Sequence, residues 1–282
     1  MEYFKIGTLA DWFGVGLYEG IRMSEVVGAE GVQLYAAGEL DPLTADVEKV
    51  KRTLRDCHQV ATALCGELGG HGLCRREDNP KKLEYLKRTL LLAKRLDCSI
   101  VTTHLGVVPA DPESDAYKVL LGACREIGRF ADALGACIAV ETGPEPVARL
   151  RDFCLECGEG IKINYDPANL AMVLREDPAA GVFTAGDLIV HTHAKDGVSL
   201  KPTTGEDYYG VFAEKGIDGA RALGMGCEVA LGEGDVKWPE YLAALRDIGF
   251  RGFLTIEREA KEAAGKDIAD AVVFLRRHME AL

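Results

Sequence analysis

The sequence predicts an α/β protein folded as a single (β/α)8 TIM barrel over residues 1–282, and three observations point there. Eight short apolar, β-branched runs alternate with longer stretches of helical periodicity. The 282 residues come close to the roughly 250 that this fold uses. Proline and glycine are spread out rather than gathered into a linker, so nothing divides the chain in two. An open doubly wound sheet would not need eight strand–helix units.

The elements follow in order. The first strand is expected at 5–10 (KIGTLA), with Trp12 just beyond its end. The second, 31–36 (GVQLYA), leads to a helix at 44–57, where Val47, Val50, Leu54 and Cys57 recur at helical spacing. The third, 61–68 (ATALCGEL), carries Glu67 at its end and runs into a glycine-rich loop holding His71. A helix at 80–97 sets Leu83, Leu86 and Leu90 against Lys and Arg on the opposite face. The fourth strand, 99–106 (SIVTTHLG), ends near His104 and precedes a helix at 116–135. The fifth, 137–143 (CIAVETG), ends on Glu141 and precedes a helix at 146–157. The sixth, 161–167 (IKINYDP), ends on Asp166, and the seventh, 188–196 (LIVHTHAKD), carries His191, His193, Lys195 and Asp196. Residues 197–236 are glycine-rich and aperiodic and are read as a long loop, a length that in a compact domain often serves as a lid or substrate wall. A helix at 237–248, an eighth strand at 253–259 (FLTIERE) with Glu257, and a helix at 266–281 complete the chain.

Composition narrows the function. The net charge is −12, from 33 Lys+Arg against 45 Asp+Glu, which opposes binding to nucleic-acid phosphates. No apolar run is long enough to span a membrane, and the first residues lack the order of a secretory signal, so a cytoplasmic protein is expected. The nine cysteines are then expected to be free thiols. The lone C-x-x-C at Cys154 and Cys157 reads as two thiols one helical turn apart rather than a zinc or redox motif.

Parallel strands buried on both faces should be apolar throughout, so polar residues at their ends carry information. Four successive strands deliver Glu141, Asp166, His193 and Glu257 to the C-terminal rim, where barrel active sites lie. Three carboxylates and an imidazole in a small space repel one another unless a cation joins them. An oxygen-rich mixed donor set suits Mn, Mg or Co, with Zn also open.

The motifs VETG, YDPANL, H-x-H-x-K-D and the tail LGEGDVKWPEYLAALRDIGFRGFLTIERE resemble the xylose isomerase-like TIM-barrel superfamily of sugar isomerases and epimerases. The resemblance covers the chain from the fourth strand onward by motif, and the first hundred residues by strand order. It implies that Glu141, Asp166, His193 and Glu257 bind one divalent metal ion. It further implies that Glu141 and Glu257 are the catalytic pair, moving protons on a sugar or sugar-like polyol or keto substrate through an enediolate. Substrate contacts are expected from His104, His71, Lys195, Asn169, Glu67 and Trp12, with Tyr35 packing nearby and Glu233 walling the pocket. His191 and Asp196 are expected to support the ligands or to hold a second metal. Asn169 and Ser199 stand where ketose 3-epimerases of the group have His and Arg, which counts against that one subfamily. An inosose dehydratase-type lyase, a non-catalytic sugar-binding barrel and an endonuclease IV-like multi-zinc nuclease are the alternatives. The acidic charge opposes the nuclease. The resemblance also implies a homodimer or homotetramer.

Overall fold

The computed structural model describes residues 3–260 and 264–282. In chain order the elements are β1 (Lys5–Leu9), α1 (Leu17–Val26), β2 (Gly31–Tyr35), α2 (Val47–Asp56), β3 (Val60–Cys65), α3 (Asn79–Arg95), β4 (Ile100–Thr103), α4 (Asp115–Ala133), β5 (Cys137–Glu141) and α5 (Val147–Cys157). There follow β6 (Ile161–Tyr165), the one-turn α6 (Pro167–Asn169), α7 (Pro178–Ala185), β7 (Ile189–Ala194), β8 (Asp196–Ser199), α8 (Gly205–Ala222), β9 (Gly226–Val229), α9 (Trp238–Asp247), β10 (Phe253–Ile256) and α10 (Ala264–Glu280). Eight strands close a parallel barrel in the order β1-β10-β7-β6-β5-β4-β3-β2. This is the predicted (β/α)8 barrel, with β10 as its eighth strand.

Strand alternation divides the barrel residues into two sets. Val32, Leu34, Leu64, Val101, Ile138, Ile163 and Leu254 are fully buried and belong to the main apolar core shared with the helices. The opposite set includes Gln33, Thr102, Asn164, His191, His193 and Thr255. Hydrogen bonds join members of it on strands that are not neighbours, such as Gln33 on β2 with Thr102 on β4 and with His193 on β7. These side chains therefore fill the barrel interior, and it is polar.

Residues 197–236 correct an expectation. They hold a strand, a helix and a strand, with β8 and β9 paired antiparallel outside the barrel and α8 between them. The helical period was hidden because α8 is broken at Gly216, whose φ of 67° no regular helix contains. α1 and α7 were also unforeseen. α7 carries its own start signal: Asp177 caps the backbone N–H of Ala179, and Pro178 fills the first helical position. The nine cysteines are free thiols, and Cys154 and Cys157 are buried on α5.

One buried acid ties the rim loops together. Glu145, between β5 and α5, is 1% exposed and accepts the Val108 N–H at 2.8 Å. Burial pushes its carboxyl up to about 8 from an ordinary value near 4.5. The folded chain thus holds a proton that the unfolded chain releases, and stability present below about pH 4.5 is lost as pH rises through about 8. Glu145→Gln keeps the acceptor oxygen and removes the titration. It is expected to melt several degrees above the wild type at pH 9, at about 2–4 °C per kcal/mol, with the difference shrinking toward pH 5 in thermal scans.

Candidate metal centre

Glu141, Asp166, His193 and Glu257 come together at the C-terminal mouth of the barrel. Each is buried and offers one ligand atom, and these atoms lie within 4.8 Å of one another. Local structure prepares them. Asp166 caps α6: its Oδ1 accepts the N–H groups of Ala168 and Asn169 at 2.8 and 3.0 Å. That leaves Oδ2 turned to the cluster, buried and without a hydrogen-bond partner. His193 Nδ1 is likewise buried without one, although it lies 3.0 Å from Glu257, 3.5 Å from Glu141 and 3.7 Å from Asp166.

These orphaned atoms test the fit of a cation. Burial opposes protonation of His193, yet Glu257 and Glu141 outweigh it and push the imidazole well above its ordinary value. The cluster therefore calls for positive charge, and a proton on one nitrogen answers three carboxylates poorly. A divalent ion with one nitrogen and three oxygen donors suits this set. Among the described residues this is the one cluster of its kind.

Neighbouring side chains fix the ligands. Asn169 Nδ2 donates to Glu141 Oε1 at 3.1 Å and to the Thr142 carbonyl, and Asn164 Nδ2 donates to Glu141 Oε2 at 3.3 Å. Lys195 Nζ lies 3.0 Å from Glu257 Oε2 and 3.2 Å from Glu259 Oε1. Burial opposes ionisation of Glu257, but Lys195 and His193 hold its carboxyl well below the usual range.

A cavity of about 640 Å³ opens over the cluster. Trp12, Glu67, His104, Asn169 and Lys195 line it, as does Tyr35. His104 Nδ1 is 3.0 Å from Glu67 and its Nε2 is 3.7 Å from Glu141. Burial alone would depress His104, but Glu141 and Glu67 push it up to about 10.

Three predicted residues lie elsewhere. His71 and Glu233 do not line the cavity. Asp196 is fully buried and accepts four N–H groups, from Gly197, Gly232, Val236 and the Trp238 indole, which braces the 230–238 segment and leaves it no part in the cluster. His191 lies beneath the site with both ring nitrogens engaged, Nδ1 by Asn164 at 2.9 Å and Nε2 by Thr255 at 3.1 Å, so it offers no free atom to a second metal.

The sequence marked residues 197–236 as a lid or wall, but not the side chains that form it. α8 contributes Tyr208, Tyr209, Phe212, Ile217 and Arg221, and the far wall adds Glu228, Arg258 and Glu259. Gly143 admits the roof: at its φ of 138°, a Cβ would come 2.4 Å from Tyr209 Oη and 2.7 Å from Asn169 Cβ.

Fold and site together define a (β/α)8 barrel with a carboxylate–histidine cluster at its C-terminal rim. The xylose isomerase-like TIM barrel model matches residues 22–278, and the chain belongs to that family. No match is found among curated protein sequences. Among solved structures, the xylose isomerase domain protein from Planctomyces limnophilus is 25% identical with a TM-score of 0.79, covering 99% of this chain and 98% of its own. A D-psicose 3-epimerase is 18% identical with a TM-score of 0.72, covering 98% and 99%. The probable 3-DHS dehydratase of petrobactin synthesis from Bacillus anthracis is 20% identical with a TM-score of 0.74, covering 97% and 100%. No helix among the described residues is long and apolar enough to cross a membrane.

Proposed function

We propose that this protein is a divalent-metal-dependent isomerase or epimerase of an unphosphorylated sugar or sugar-like polyol ketone. The observation that carries the reading is the buried four-ligand cluster at the floor of a cavity of sugar size. A divalent ion there supplies Lewis-acid polarisation of adjacent substrate oxygens, which acidifies the intervening C–H. The chain supplies the rest. β5 and β10 are three steps apart around the eight-stranded barrel, so Glu141 and Glu257 approach a bound carbon from different sides. Glu141 and Glu257 are placed to take the proton and return one, with Lys195 at 3.0 Å fixing the Glu257 carboxylate. The His104 ring, whose Nε2 lies 3.7 Å from Glu141, is a donor for a substrate oxygen. The indole N–H of Trp12, which has no partner among the described residues, is another.

Charge balance supports a neutral substrate. Among the described residues lining the cavity, Lys195 pairs with Glu257 and Glu259, Arg221 with Glu259, Arg258 with Glu228 and Asp267, and His104 with Glu67. None of these cations is left over for a phosphate or a carboxylate. The single cluster and the −12 charge disfavour the multi-zinc nuclease.

The test is proton NMR in D2O of the Mn²⁺-loaded protein with ketoses, inososes, their phosphates and 3-keto acids. Deuterium entering one C–H position of a neutral compound is the expected result. Water loss instead of exchange would move the reading to the dehydratase. No exchange or conversion with any compound would overturn it in favour of a binding barrel.

A further inference from the structure

The polar interior beneath the cluster decides which nitrogen His193 presents. Gln33 lies mid-strand in β2 and is 1% exposed. Its Nε2 donates to Thr102 Oγ1 at 3.1 Å, which turns its Oε1 toward His193 Nε2, 3.1 Å away. An amide oxygen only accepts, so this contact requires the imidazole hydrogen on Nε2. In the neutral ring that ligates a cation, Nδ1 then carries the lone pair, and Nδ1 is the ring atom facing Glu141, Asp166 and Glu257.

Asn164 cannot take over this role. Its Nδ2 is directed at Glu141 Oε2, a group that accepts only, and its Oδ1 is occupied by His191 Nδ1. Its amide edge near His193 Nε2, at 3.3 Å, is therefore a donor edge, which would favour the other tautomer. Gln33 is thus the one contact of His193 Nε2 that holds a proton there. With the other tautomer, an N–H would point into three carboxylates and the lone pair would sit on Nε2, turned away from the cluster.

We infer that Gln33 is a positioning residue that selects the His193 tautomer able to bind a divalent cation. The inference rests on the metal-centre reading. A hydrogen-bond acceptor behind a ligand histidine orients the ring and raises its basicity, and loss of such a partner typically weakens metal binding roughly 10–100-fold.

Calorimetric titration of the purified chain with Mn²⁺ alone tests it, on wild type, Gln33→Leu and Gln33→Glu, with metal-free melting curves confirming that each variant folds. Gln33→Leu, which has no acceptor, is expected to bind roughly 10–100-fold more weakly. Gln33→Glu, whose oxygens accept but cannot donate to Thr102, is expected to bind more tightly than Gln33→Leu. Wild-type affinity in Gln33→Leu would overturn the inference, as would equal losses in both variants, the mark of a merely structural role. A second measurement needs no variant: ¹⁵N NMR of the Mg²⁺-loaded wild type is expected to show the His193 proton on Nε2, and a proton on Nδ1 would overturn the inference. A wild type that takes up neither ion removes the metal-centre reading itself, before any variant is compared.

Discussion

Glu257→Gln is expected to lower kcat by roughly 10²–10⁴-fold, the usual contribution of a positioned proton-transfer group. The amide is isosteric and its oxygen still faces the cluster, so the metal site is disturbed less than the proton transfer. Glu141→Gln should cost a similar factor, and the pair carries a sharper signature. If each glutamate serves one face, each variant leaves the other glutamate able to remove and return a proton on its own side. Glu141→Gln would then exchange solvent deuterium into one epimer without inverting it, and Glu257→Gln would do so with the opposite epimer. NMR in D2O reads both. Full turnover by Glu257→Gln would remove it from the mechanism, and loss of all exchange in only one variant would mean a single base and an isomerase.

The second large effect is on stability. Ions that bind only the folded chain stabilise it by about 2.7 kcal/mol at a hundredfold excess over Kd. Thermal scans should therefore show the melting temperature rising with Mn²⁺ and returning when a chelator is added. Asp166→Asn should abolish that response. Without metal the same variant is expected to melt at or above the wild type, because it removes one of three converging carboxylates while Asn still caps α6. Destabilisation of the metal-free variant together with an unchanged Mn²⁺ response would mean that Asp166 serves the cap and not the ion.

The barrel was legible because its signal is redundant: eight apolar runs and the helices between them repeat one pattern, and a misplaced boundary does not alter it. The four clustered residues were legible because an acid or histidine that ends an apolar strand has few other uses there. Alternation along β7 also put His191 and His193 on one face, as found. The same alternation sets Asp196 on the opposite face from His193 and Lys195, a signal available in the sequence that proximity to the H-x-H motif obscured. Gln33 and Asn164 each interrupt an apolar strand, GVQLY and IKINY, and a polar residue in such a place needs a buried partner. The partner lies on a distant strand, so the sequence could mark the residue but not its role. Residues 197–236 were legible as a lid but not as a helix between two strands, because Gly216 breaks the helical period of α8 and the pairing of β8 with β9 joins segments some thirty residues apart.

Metal content per chain tests the central claim most directly. Purified wild type saturated with Mn²⁺ and freed of excess by dialysis should hold one divalent ion per chain by elemental analysis, and Asp166→Asn treated identically should hold none. A wild type that retains no ion, one that retains three zinc ions, or an Asp166→Asn variant that retains as much as the wild type would contradict it.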